Sequence, residues 1–161
     1  INSLRPIDIE DLLGRVAVEP NKKLLKASTD NLNICITGAG GSIGKQIFKE
    51  IIKLKPKSLL LIDCNEYSLY SLQQEILNKF GEKNYMKINL ILGDVKDYNL
   101  VKSLFKEYKI DIVYHAAAYK HVPLIEQNPL QGIENNIIST FSICKAAEEL
   151  NLLKVTLIST D

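Results

Sequence analysis

No stretch of this sequence approaches the ~20 apolar residues that a bilayer-spanning helix needs, so these residues hold no transmembrane helix. Cysteine is scarce. Cys35, Cys64 and Cys144 are odd in number and widely separated, which excludes a disulfide scaffold and a Cys-x-x-Cys zinc site and fits a reducing compartment. No metal is expected. An excess of charge is also missing: Lys and Arg number 20 and Asp and Glu 19, and a net charge of +1 gives no broad field for nucleic acid or an acidic membrane. The chain opens at Ile1 and not at a methionine, and its first residues carry no signal-peptide pattern. No closing helix or polar tail separates the apolar run Val155-Thr156-Leu157-Ile158 from the last residue, Asp161. Both ends read as cuts, and the sequence is expected to be a piece of a longer protein.

What is present suffices for one domain. Of 161 residues, 46% are hydrophobic, which excludes disorder and allows roughly 70% of the unfolded surface to be buried. Residues 1–31 differ from the rest, holding both arginines (Arg5, Arg15) and two of the five prolines (Pro6, Pro20). They read as an extended N-terminal arm with at most one short helix, near Ile9 to Leu13. Residues 32–161 are regular. Apolar runs at 33–37, 58–63, 88–92, 111–115 and 154–159 read as strands. Between them, helical spacing marks about 42–54, a helix through Leu69, Leu72, Ile76 and Phe80 closed by Gly81, a third through Leu100 to Tyr108, and a long fourth over 129–150. Uniformly apolar strands alternating with such helices predict a Rossmann-type, doubly wound α/β fold with a parallel sheet of about five strands, order 3-2-1-4-5.

Chemistry first shows at Thr37-Gly38-Ala39-Gly40-Gly41-Ser42-Ile43-Gly44, between the first strand and the first helix. Gly38 permits the turn, Gly41 lets backbone approach a pyrophosphate, and Gly44 allows helix to pack closely on strand. The N–H groups that open the helix, at Ser42 and Ile43, would face the anion. Asp63 ends the second strand at the distance where an acid bonds the adenosine ribose, and no arginine stands nearby for a 2′-phosphate. NAD is therefore expected over NADP. Asp94-Val95 ends the third strand where adenine would lie, although a simple strand-end turn accounts for that pair equally well. Ala116-Ala117-Ala118 after the fourth strand are small enough to let a cofactor pass, with Lys120 and His121 just beyond.

The order of these segments, with Leu61-Ile62-Asp63, Gly93-Asp94-Val95, His115 to Pro123, Asn136 and Ser159-Thr160-Asp161, closely resembles the nucleotide-sugar 4,6-dehydratases of bacterial polysaccharide biosynthesis (CapD-like), within the extended short-chain dehydrogenase/reductase superfamily. The arm from Leu4 to Arg15 resembles the segment ahead of the Rossmann unit in the long, membrane-anchored members. The resemblance implies a UDP-N-acetylhexosamine substrate, typically UDP-GlcNAc, with hydride passing from C4 to bound NAD, water leaving across C5 and C6, and hydride returning to C6. Thr160 would bond the C4 hydroxyl and Asp161 would protonate the departing C6 hydroxyl. Lys120 would border both cofactor and sugar, His121 the sugar, and Asn136 would occupy the superfamily's helix asparagine position, a structural and proton-relay position counted with the substrate-binding residues. The resemblance further implies a cytoplasmic domain on a membrane-anchored parent, with no membrane contact by this piece; a homo-oligomer stays open. Ser139 stands where the family has glycine, which predicts a modest packing adjustment. The family's later lysines and substrate region lie beyond Asp161, so this piece is expected to be inactive alone. A UDP-sugar 4-epimerase shares the fold and the hydride chemistry, and a non-catalytic NAD-binding module would use the same glycines.

Overall fold

The computed structural model describes residues 21–27, 29–85 and 87–159. The first described element is a short helix, α1 (Lys22–Ala27), where the sequence predicts extended arm. Its lysines and leucines are good helix formers, and Asn21 Oδ1 accepts the Leu24 N–H at 3.2 Å to start the turn. The helix expected near Ile9 to Leu13 lies outside the described residues.

β1 (Asn33–Thr37), β2 (Ser58–Asp63), β3 (Ile88–Leu92), β4 (Ile112–His115) and β5 (Lys154–Leu157) form one parallel sheet in the order β3-β2-β1-β4-β5. That is the predicted doubly wound order. Thr37 is opposite Ile62 on one side and His115 on the other, so three strands end together. The order of winding reverses at β1, with β2 and β3 laid to one side and β4 and β5 to the other, which places the topological switch point between β1 and β4.

Alternate strand residues feed two cores. Ile34, Ile36, Leu59 and Leu61 are buried against α2 (Ser42–Lys53) and α3 (Glu66–Tyr85), through Phe48, Ile51, Leu72 and Ile76. Cys35, Leu60, Ile62 and Val113 point the other way. They meet Val101, Leu104 and Phe105 of α4 (Tyr98–Glu107) and Ile143 and Ala146 further on. β1 is buried along its whole length. Its apolar run is continuous because both faces are covered. Asp97 caps α4, accepting the N–H groups of Asn99 and Leu100 at 2.9 and 3.1 Å.

Three boundaries differ from the sequence reading. Gly81 does not close α3, which continues to Tyr85; one helical glycine costs only about 1 kcal/mol, and Glu82 and Lys83 favour continuation. Val122–Gln127 forms a further helix, α5, with Pro123 in its first turn, where proline lacks only an N–H that would be unpaired anyway. The long helix is present but not uniform: α6 (Pro129–Gly132) passes into a π-helical segment, Ile133–Ile138, and then into α7 (Ser139–Glu149).

Candidate functional site

A crevice of about 310 Å³ opens at the switch point, above the ends of β1, β2, β3 and β4. It collects Gly38, Gly41, Asp63, Asp94, Val95 and Ala116 to Ala118. A smaller recess of about 100 Å³, lined by Ser42, Ile43 and Lys120, shares Gly41, Ala116 and Ala118 with it.

The glycines have different neighbours. Gly38 has φ +65°, and a Cβ there would lie 2.4 Å from the Ala116 carbonyl oxygen, so the turn and the approach of the β4 exit both require glycine. A Cβ on Gly44 would lie 2.1 Å from the Gly38 oxygen, and one on Gly40 2.6 Å from Ser68 Cβ. Gly41 is otherwise. A Cβ there would meet only the Gly38 oxygen, at 3.3 Å, because its open side faces the crevice. Gly41 is also the N-cap of α2, which has no side-chain cap; the helix therefore presents its first N–H groups and positive dipole end to the crevice. A Cβ on Gly41 would project into this cradle, and a pyrophosphate fits it.

Asp63 is almost wholly buried. Its Oδ2 accepts the Gly40 N–H at 2.8 Å and its Oδ1 the Asn65 N–H at 2.9 Å. The carboxylate thus fixes the glycine loop to the end of β2, and each oxygen keeps a lone pair for a further donor. At the end of β3, Asp94 Oδ1 accepts the Lys96 N–H at 2.9 Å, and its Oδ2 lies 3.2 Å from Lys96 Nζ. Lys96 also approaches Glu134 at 3.7 Å, and these carboxylates, Asp94 first, hold its ammonium above the ordinary lysine range. Cys64 lies on the crevice wall, where burial and then the charges of Asp63 and Asp94 raise its thiol pKa. It is thus kept as a thiol and is a poor nucleophile.

His115 ends β4 beneath the crevice. Its Nδ1 lies 2.6 Å from Thr37 Oγ1, and its Nε2 lies 3.1 Å from Thr140 Oγ1 and 3.4 Å from Ser139 Oγ. The Ser139 and Thr140 hydroxyls donate to the carbonyls of Asn135 and Asn136. We therefore assign the proton to Nε2, which donates to Thr140 while Nδ1 accepts from Thr37. Burial lowers the pKa of this imidazole to about 4. Ser139 is buried here, its hydroxyl turned back on its own helix.

The π segment presents two consecutive asparagines to the loop after β4. Asn135 Nδ2 donates to the Ala117 carbonyl at 2.8 Å. Asn136 accepts the Tyr119 N–H at 2.8 Å and donates to the Tyr119 carbonyl at 3.0 Å. An α-helix turns about 100° per residue, and the wider π turn brings adjacent side chains closer to one face. Asn136 therefore grips the loop and does not line the crevice. Lys120 leaves the loop to donate to Ser42 Oγ at 3.5 Å, over the start of α2. His121 lines a separate apolar hollow of about 350 Å³ with Leu124 and Ile125. Thr160 and Asp161 lie outside the described residues.

Sequence reasoning overlooked Asn135, Lys96 and Tyr119. The asparagine doublet was the one available signal for Asn135; nothing in the sequence marks a π turn. Among the described residues, no cluster of His, Cys, Asp or Glu could hold a metal ion.

Comparison with known proteins adds independent findings. The family described as polysaccharide biosynthesis protein matches residues 34–161. A capsular polysaccharide biosynthesis protein, CapD, of Staphylococcus aureus is 39% identical over 161 residues, covering 100% of this chain and 26% of that protein. An inverting UDP-N-acetylglucosamine 4,6-dehydratase of Campylobacter jejuni is 34% identical over 130 residues, covering 80% of this chain and 36% of that one. The UDP-glucose 4-epimerase of Bifidobacterium longum, solved in complex with NAD+ and UDP, superimposes with a TM-score of 0.66 at 25% identity, over 80% of this chain and 37% of that one. The chain thus spans between about a quarter and two-fifths of the length of these relatives.

Proposed function

We propose, from the premise that this chain belongs to the polysaccharide biosynthesis protein family, that it forms the NAD-binding portion of a UDP-N-acetylglucosamine 4,6-dehydratase, a lyase of bacterial surface-glycan synthesis. One observation carries the cofactor part: the uncapped start of α2, the open side of Gly41 and the Asp63 carboxylate face one crevice at the switch point.

Each residue has a role in this reading. The first N–H groups of α2, from Ser42, Ile43 and Gly44, take the pyrophosphate, and Lys120 adds positive charge over Ser42. Gly38 and Gly40 shape the loop that holds them. Asp63 uses its remaining lone pairs for the ribose hydroxyls. The same carboxylate would repel a 2′-phosphate, so NAD is preferred over NADP. Asp94 and Val95 border the adenine, and Ala116 to Ala118 leave room for the nicotinamide half. When bound, NAD supplies a reversible hydride acceptor for sugar C4. Lys120 and His121 flank the sugar side, where Thr160 orients the C4 hydroxyl and Asp161 protonates the leaving C6 hydroxyl. Asn136 serves by holding the Tyr119 backbone in place. Turnover belongs to the whole enzyme, which we assign to the membrane with this domain on the cytoplasmic side.

The likeness to a UDP-glucose 4-epimerase supports a second reading, inversion at C4 without loss of water. Incubating the full-length enzyme with UDP-GlcNAc and NAD separates the two. The dehydratase yields a 4-keto-6-deoxy product lighter by one water, seen by mass spectrometry. Recovery of UDP-GalNAc would overturn that reading in favour of the epimerase, and unchanged substrate would overturn both.

A further inference from the structure

Asp94 stands where β3 meets the crevice, and one neighbouring residue touches both of its oxygens. The Lys96 N–H reaches Oδ1 at 2.9 Å, and the Lys96 ammonium lies 3.2 Å from Oδ2. Two contacts from one residue fix the plane of the carboxylate, and each oxygen keeps a lone pair for a further donor.

Lys96 is itself held. Its carbonyl accepts the hydroxyl of the buried Ser142, on α7, at 2.9 Å. The turn closes through the Asp97 N–H, which donates to the Asp94 carbonyl at 3.1 Å, and Asp97 goes on to cap α4. Glu134, in the π segment beside the crevice-lining Asn135, approaches the Lys96 ammonium at 3.7 Å. The ammonium thus lies between a carboxylate from the β3 end and one from the π segment. Exposed ion pairs contribute little to stability, so what this arrangement supplies is orientation.

We infer that Lys96, kept in place by Glu134, is a positioning residue that orients the Asp94 carboxylate to accept the exocyclic amino group of the adenine of NAD. A carboxylate only accepts, so at this position it favours a purine bearing an N–H donor over one without. Without the ammonium the carboxylate is free to turn toward water. The directional bond to the base is then lost, while the space for the base remains. The crevice is lined by Asp94 and not by Lys96 or Glu134, so these two act through Asp94. The ammonium is not placed as a phosphate ligand, because two carboxylates already face it. This role rests on the crevice being the dinucleotide site proposed above.

The test is calorimetric titration of the full-length enzyme, freed of nucleotide, with NAD and with nicotinamide–purine dinucleotide, which carries hydrogen in place of the adenine amino group. The parent is expected to bind NAD at least about tenfold more tightly, as a hydrogen bond to a charged group allows. Lys96→Gln should weaken NAD about fivefold and leave the purine analogue within about twofold, so that the preference narrows. A merely structural role would weaken both alike. Lys96→Arg keeps the charge and should hold the preference within about twofold of the parent's. Glu134→Gln should narrow it to a smaller extent and add nothing in the Lys96→Gln background. Circular dichroism checks that each variant folds, and Glu134→Gln carries the test if Lys96→Gln does not fold. Equal losses of the two ligands, or an unchanged preference, would overturn the role of Lys96. A parent that binds both ligands alike overturns it too and leaves the NAD site standing. A parent that binds neither overturns both.

Discussion

Gly41 and Gly44 lie three residues apart in one loop and answer to different neighbours. A methyl group on Gly44 is driven into the Gly38 carbonyl, with no flexible side chain to give way. Gly44→Ala is therefore expected to cost about 1–3 kcal/mol of stability, measured by urea unfolding. A methyl group on Gly41 meets no side chain and projects toward the crevice. Gly41→Ala, with its methyl 3.3 Å from the Gly38 oxygen, should lower the unfolding midpoint less than Gly44→Ala does while weakening NAD at least tenfold by calorimetry. Equal stability losses in the two variants would remove the distinction between a packing glycine and a ligand glycine. Asp63 belongs to both classes, since it fastens the loop through Gly40 and Asn65 and also faces the crevice.

Between elements, His115 is the joint. It links β1 through Thr37 to α7 through Ser139 and Thr140, and the adjoining asparagines hold the loop that forms one crevice wall. Burial depresses its pKa to about 4 from an ordinary 6.5, so the unfolded chain binds the extra proton and the folded chain does not. Stability from this group is full above pH 6.5 and is lost as pH falls toward about 4. The loss amounts to roughly 3 kcal/mol over that window. His115→Gln has no imidazole to titrate, and its urea midpoint should fall less steeply between pH 7 and 4 than that of the parent chain. Parallel profiles would show that carboxylates alone govern acid stability. The helix that receives this joint was legible as a long apolar pattern from 129 to 150. Its π turn was not, because six residues are too few for a local change of period to show in the apolar pattern. The function of the asparagine pair depends on that turn.

The crevice runs between the two halves of the sheet, so a ligand bridging it stabilises the domain as a unit. NAD at about a hundredfold its dissociation constant should raise unfolding free energy by about 2.7 kcal/mol. On the proposed role of Asp63, the same concentration of NADP should raise it less, because the carboxylate would repel the extra phosphate. Thermal unfolding with each cofactor reads both effects, and a larger shift with NADP would refute the assigned preference.

Strand order, the covering of both sheet faces and the glycine-rich turn were readable from residues 33–157 alone. A strand covered on both faces must be apolar throughout, and a glycine-rich strand-to-helix turn leaves a local signature; such features depend on neighbours a few residues away. The crevice walls were partly readable for the same reason, since strand ends in a parallel sheet converge. Other features depend on distant parts of the chain meeting. Gly44 and Gly41 look alike until the Gly38 carbonyl is placed against one of them. Asn136 resembles a crevice residue until the π turn sets it on the Tyr119 backbone. Charge arithmetic sums 20 cations against 19 anions and discards position. Only the folded sheet brings Asp63 and Asp94 together with Lys120 around one crevice, because its parallel strands all end on the same side.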